Sequence, residues 1–194
     1  MSIIDANIKT SKCEKQFFQT LPEQVDALLL WLKYNNFEAP LKILDAGSGK
    51  GRIANKFKTA GYNVTTIDKH FEADIKGDFL KHNFKDRFNI VVSNPPYISR
   101  DKTKYQFIDK ALEIADTVIF FFPLQMLNYI YFCENYLDKE NYIGRLTLYP
   151  KVILNPEGKL KQGGNTGYGW FIFGRIKNSS IPFEQFIDTR RFRK

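Results

Sequence analysis

The chain has 194 residues, 43% of them hydrophobic and 15% aromatic, so it can bury one sizeable core in a domain of ordinary size. Lys and Arg number 29 against 21 for Asp and Glu; the net charge of +8 favours polyanionic partners without speaking to fold. Two cysteines and two histidines exclude a structural zinc cluster, Met1 to Asp5 lack the regions of a secretory signal, and no apolar run approaches a membrane span, so a reducing, cytoplasmic setting with no membrane partner is expected.

Residues 1–20 are polar and irregular and read as an arm. Thr20 is expected to cap a helix that Pro22 opens, with Glu23 in the capping-box position. That helix runs to about Tyr34, with Val25, Leu28, Leu29 and Leu32 on one face. Leu41 to Leu44 is a short strand, followed by Asp45-Ala46-Gly47-Ser48-Gly49-Lys50-Gly51 and a helical pattern ending at Gly61. Strand, glycine-rich turn and helix make the nucleotide-binding start of a doubly wound fold, in which glycines let the backbone approach a ligand closely. A phosphate-binding P-loop is excluded, because Gly51 stands where Ser or Thr is needed and Leu44 where the first glycine is needed. The nicotinamide fingerprint is out of register, its third glycine one residue early. Asn63 to Asp68 is a strand ending in an acid about 20 residues beyond the glycines, a position that meets ribose hydroxyls. A strand around Ala73 to Lys76 and the pair Asp78-Phe79 follow, with no room for full crossover helices before the next strand.

Phe88 to Val92 suits a buried strand, and Ser93-Asn94-Pro95-Pro96-Tyr97 ends it, since neither proline has an N–H for a sheet ladder. The stiff loop presents the Asn94 amide, the carbonyls of Asn94 and Pro95, and the Tyr97 ring, a set suited to a flat, hydrogen-bonding ligand. Ile98 to Tyr105, with Arg100, Lys102 and Lys104, reads as a basic, mobile loop. The pattern then predicts a helix over 105–115, a strand from Thr117 to Phe122, one helix from Leu124 to Tyr136, and a strand from Tyr142 to Tyr149. A closing strand from Gly167 to Ile176 is expected to run antiparallel, because no crossover helix precedes it. The expected fold is α/β: a doubly wound, Rossmann-like, mostly parallel sheet with an antiparallel closing strand, in a single domain over 21–180, with a basic tail over 181–194.

These landmarks together resemble the class I S-adenosylmethionine-dependent methyltransferases, and within them the small phage-type amino-methyltransferases that modify N6 of adenine through an Asn-Pro-Pro-Tyr motif. The resemblance spans about residue 17 to residue 177 and implies the class I methyltransferase fold, with S-adenosyl-L-methionine as cofactor. It implies that Asp45, Gly47, Ser48 and Gly49 wrap the methionine part, that Asp68 holds the ribose, and that Asp78 and Phe79 meet the adenine. Asn94, Pro95, Pro96 and Tyr97 match the catalytic motif outright. Phe17 and Thr20 resemble the segment that approaches the methionine carboxylate, although Leu21 interrupts the family's Thr-Pro. No metal is implied. The implied substrate is nucleic acid, with adenine N6 in DNA first, RNA adenine N6 or guanine N2 second and protein glutamine third. No separate recognition domain is visible, which implies relaxed specificity or a partner subunit. A catalytically silent nucleic-acid-binding subunit is the alternative from another class.

Overall fold

The computed structural model describes residues 20–96, 102–137, 141–150, 153–154, 160–161, 167–174 and 183–192. Helix α1 (Pro22–Tyr34) precedes strand β1 (Lys42–Ala46), helix α2 (Arg52–Thr59), and strands β2 (Asn63–Asp68), β3 (Ile75–Lys76) and β4 (Phe88–Ser93). Helix α3 (Thr103–Ile114) and β5 (Ala115–Pro123) follow. Beyond them lie β6 (Tyr142–Tyr149), a small hairpin of β7 (Ile153–Leu154) and β8 (Leu160–Lys161), then β9 (Tyr168–Gly174) and β10 (Phe183–Asp188). One sheet runs β3-β2-β1-β4-β5-β9-β6-β10. Only β9 opposes its neighbours in this sheet, pairing antiparallel with β5 and β6; the other pairs are parallel. The sheet is therefore mostly parallel with an antiparallel closing strand, as the sequence predicts.

Its central strands read as continuous apolar runs because helices cover both faces. Ile119 and Phe121 of β5 face the cluster of Val25, Leu28 and Leu32 from α1 and Phe57 from α2. Val118, Phe120 and Phe122 face the opposite way, toward Ile108 and Ala111 of α3. The closing strand continues the division, with Trp170 and Ile172 on the first face and Phe171 and Phe173 on the second. The one polar atom of the buried Trp170 ring is satisfied: Nε1 donates to the Gln24 carbonyl at 2.8 Å, tying β9 to the first turn of α1.

Four segments differ from the sequence expectation. The N-cap of α1 is Leu21, not Thr20, and Gln24 rather than Glu23 closes the box, its Oε1 accepting from Leu21 N at 2.9 Å. Thr20 is drawn elsewhere, by a contact described below. Helix α3 begins at Thr103, so Lys104 and Tyr105 sit in a buried first turn instead of a loop. The stretch from Leu124 to Tyr136 breaks into a 3₁₀ turn (Leu124–Asn128), an extended Tyr129, an α turn (Ile130–Phe132) and a π turn (Cys133–Leu137). Met126, Phe132 and Tyr136 are buried across these three turns.

The stretch expected as a tail contributes β10, parallel to β6, and a 3₁₀ turn, Thr189–Phe192, beside α1. Phe183 stacks on Trp31 with ring centroids 5.8 Å apart. Gly144 permits this pairing, since a Cβ there would collide with the Phe183 carbonyl.

Replacing Trp170 with Phe keeps the ring packing but deletes the donor to Gln24. The expected cost is about 1 kcal/mol, read as a lower urea midpoint at unchanged m-value. An unchanged midpoint would show that the bond adds nothing to stability.

Candidate active site

The chain leaves β1 for β2 and β3 on one side and returns through β4 on the other. In such sheets ligands bind outside the carboxyl ends of the strands where the order reverses. Here those ends are joined, because the Ser93 hydroxyl at the end of β4 donates to the carbonyl of Ala46 at the end of β1. The glycine loop and the Asn94 loop therefore leave from two strand tips held together. Gly47 and Gly49 take φ of +71° and +55°, a left-handed backbone that side chains resist. The turn is pinned to β2, with Gly47 N and Ser48 N both donating to the Ile67 carbonyl at 2.8 and 3.2 Å.

Two acids brace this loop. Asp45 is fully buried, and its Oδ2 accepts from Ala54 N at 3.0 Å. Its Oδ1 and the Ser48 Oγ are both buried without a partner among the described residues. Desolvation, with a smaller contribution from the nearby Asp68 charge, pushes the Asp45 carboxyl up to about 7 against the Ala54 bond that lowers it. Asp68, buried at the end of β2, accepts from Gly49 N at 2.8 Å through Oδ2 and from His70 N and Phe71 N at 2.7 and 2.8 Å through Oδ1. A carboxylate has about four acceptor positions, so room is left for one ligand hydroxyl. Gly77 N donates to the Asp68 carbonyl at 3.0 Å and so carries Asp78 alongside. Asp78 pairs with Lys69 at 3.2 Å, and Phe79 is buried with its ring 4.9 Å from that of Phe107.

Asn94 is half-buried, Pro95 buried and Pro96 exposed. The Asn94 Nδ2 donates to the Thr20 hydroxyl at 3.1 Å across 74 residues of chain. This bond explains why Thr20 does not cap α1, and it orients the Asn94 amide. The structure thus brings together Thr20, Asp45, Gly47, Ser48, Gly49, Asp68, Asn94 and Pro95, with Asp78 and Phe79 reached through β3. Phe17, Tyr97 and Arg100 lie outside the described residues. Sequence reasoning missed two contributors. Ser93 looked like the last residue of an apolar strand; a hydroxyl at a buried strand end was its one signal. Phe107 read as ordinary helix core, yet a Cβ at Gly47 would lie 3.8 Å from its ring, so it walls the glycine loop.

The Eco57I restriction-modification methylase family matches residues 19–159 of the chain. The chain belongs to this family. No curated protein matches it. Among solved structures, a Pyrococcus horikoshii protein described as a candidate RNA methyltransferase superposes with a TM-score of 0.65 at 21% identity, covering 86% of this chain and 89% of that one. The methyltransferase subunit of a type I restriction-modification system from Streptococcus thermophilus gives 0.62 at 13% identity, with 92% of this chain and 49% of that one covered. Magnesium protoporphyrin IX methyltransferase from Synechocystis PCC 6803, with S-adenosylmethionine bound, gives 0.52 at 13% identity and 79% of each chain. Family and fold make this methylase a class I S-adenosylmethionine-dependent methyltransferase.

The residues present fit that cofactor. The buried, unpartnered Asp45 Oδ1 and Ser48 Oγ are polar atoms that burial penalises until something bonds them. They stand at the end of β1 and on the loop that leads from it into α2, whose Gly49 N is bonded to the carboxylate of Asp68.

Burial of Asp45 makes stability depend on pH. Its folded pKa lies above the unfolded value, so the native state holds the proton longer, and stability falls as pH rises from about 4 to about 7. Asp45→Asn removes the charge. Its Tm relative to the parent should rise most near pH 8, with the gain fading toward about pH 4 in calorimetric scans. A gain independent of pH would sink this assignment.

Proposed function

We propose that this methylase transfers a methyl group to N6 of adenine in DNA. The observation that carries the reading is the Asn94 amide, held by Thr20 at the tip of β4 and followed by two prolines, next to the glycine loop of β1. S-adenosylmethionine, when bound, supplies the electrophilic methyl for direct in-line transfer, with no covalent intermediate on the protein.

The protein's own contribution is orientation and polarisation. An exocyclic aromatic amine is a poor nucleophile because its lone pair is delocalised into the ring. The Asn94 Oδ1 and the Pro95 carbonyl accept from its two N–H groups and favour a tetrahedral nitrogen. Donation of Nδ2 to Thr20 selects the amide rotamer that turns Oδ1 away from Thr20. Pro96 stiffens the turn and, on the sequence motif, Tyr97 stacks on the base. The proton leaves late, to water. In this reading Asp45, Gly47, Ser48 and Gly49 hold the methionine part with Thr20 and Phe17 nearby, Asp68 holds the ribose, and Asp78 and Phe79 meet the adenine. A target within a duplex must be flipped out at a cost of a few kcal/mol, which stacking partly returns.

The restriction-modification character of the family supports DNA, as does the +8 charge for nucleic acid in general. RNA is the second reading, favoured by the description of the Pyrococcus horikoshii fold relative. A partner subunit for target recognition accords with the type I relative, of which this chain spans about half.

The deciding experiment offers labelled S-adenosylmethionine with duplex DNA, single-stranded DNA, total RNA and a protein extract in parallel. N6-methyladenine in DNA is the expected product; label confined to RNA or protein, or absent, overturns the substrate assignment. Asn94→Ala should lose at least ~100-fold in kcat with cofactor affinity kept, and a near-parental rate would remove Asn94 from the mechanism. Thr20→Val should cost roughly five- to tenfold in kcat, whereas Thr20→Ser retains the acceptor and most of the rate. Equal rates for the two variants would deny the orienting role.

A further inference from the structure

The break in the segment after β5 falls at Tyr129, which is extended at φ −88° and ψ 123°. It leaves Ile130 75% exposed between two half-buried tyrosines, Tyr129 and Tyr131. Core packing of Met126 and Phe132 does not account for an isoleucine at its tip. The N-cap and first turn of α3 bring a lysine to each tyrosine: Lys102 Nζ lies 5.3 Å from the Tyr131 ring centroid and Lys104 Nζ 4.9 Å from that of Tyr129. Tyr105 packs beneath, its ring 4.4 Å from Tyr131. Lys104 is buried at 5% exposure and fixes the platform, whereas Lys102 is exposed and makes no ion pair among the described residues.

The position is as informative as the composition. β4 and β5 are paired neighbours with Ser93 opposite Phe120, so both segments spring from the edge that carries Asn94. Lys102 stands six residues beyond Pro96 and Tyr129 six beyond Pro123, the last residue of β5. An exposed apolar tip between aromatic rings, with a cation at its rim, matches a strand of nucleic acid: bases stack on aromatic and apolar surfaces, and phosphates meet ammonium groups. The chain's net charge of +8 has the complementary sign.

We infer that Tyr129, Ile130 and Tyr131, with Lys102, form the surface that grips the nucleotides flanking the target base, the bases against the Tyr-Ile-Tyr tip and a phosphate on Lys102. The inference rests on the nucleic-acid reading of the active site and adds to it a place for the strand within the catalytic domain itself.

The test uses the full chain and a short fluorescein-labelled single-stranded oligodeoxynucleotide containing adenines, titrated by anisotropy at several salt concentrations. Lys102→Gln and Ile130→Ser change exposed side chains. Each should weaken oligonucleotide binding about fivefold, and Lys102→Gln should also lower the salt slope by about 1. KM for the nucleic acid should rise with kcat at saturation and cofactor affinity kept. Variants that bind and turn over like a parent protein that itself binds the strand overturn this inference alone. A parent that binds no nucleic acid overturns both it and the reading beneath it. Loss of cofactor affinity alongside strand affinity would assign these residues to the fold and overturn the inference too.

Discussion

The hydrogen bond from the Ser93 hydroxyl to the Ala46 carbonyl joins the ends of β1 and β4, and the candidate site depends on that join. Parallel strands placed side by side by a reversal in order leave a crevice between their carboxyl ends. Here the crevice is bounded by two loops that cannot drift apart, since one begins at Gly47 and the other at Asn94, each the residue after a bonded partner. Thr20 closes the third side from a distant part of the chain, and Trp170 anchors the helix that follows it. Asn94 thus has its backbone set by a strand end and its amide set by a residue that the sheet itself holds in place.

Charge burial sets the other constraint. Asp45 sits where desolvation opposes its ionised form, with one oxygen bonded to the start of α2 and the other without a partner among the described residues. Asp68, by contrast, is surrounded by three backbone N–H groups, which stabilise a carboxylate directly. The two acids at the ends of β1 and β2 therefore differ in kind: Asp68 braces the glycine loop through Gly49 N, and Asp45 keeps a buried acceptor unmet among the described residues.

The aromatic residues divide between packing and display. Phe120, Phe122, Phe171 and Phe173 fill one face of the sheet around Phe132, which comes from the broken segment after β5. The π turn that follows places Tyr136 where its hydroxyl donates to Asp109 at 2.8 Å, and burial pushes the pKa of that phenol upward. The buried Phe132 and Tyr136 and the half-buried Tyr129 and Tyr131 belong to the same broken segment.

Much was legible in the chain because it rests on local chemistry. Apolar runs bounded by glycine and proline mark strands buried on both faces; the glycine loop after Asp45 and the Asn94-Pro95-Pro96 stop are conformational demands of those residues themselves. The order of motifs then implied the sheet and its antiparallel closing strand. What stayed hidden depends on partners far apart in sequence. Thr20 gave up its helix cap for Asn94, 74 residues away, because a hydroxyl bonds whichever donor the fold brings to it. Lys104 looked solvated and is buried, with its ammonium 4.9 Å from the ring of Tyr129, a residue on another element. Residues Phe183–Asp188 looked like a basic tail and complete the sheet, because strand pairing needs an exposed neighbouring edge more than it needs a strong local pattern. The sequence by itself determined which loops end the central strands and which polar groups those loops carry. Only the tertiary structure decided which side chains orient those loops, because hydrogen bonds and ring contacts are chosen by proximity in space.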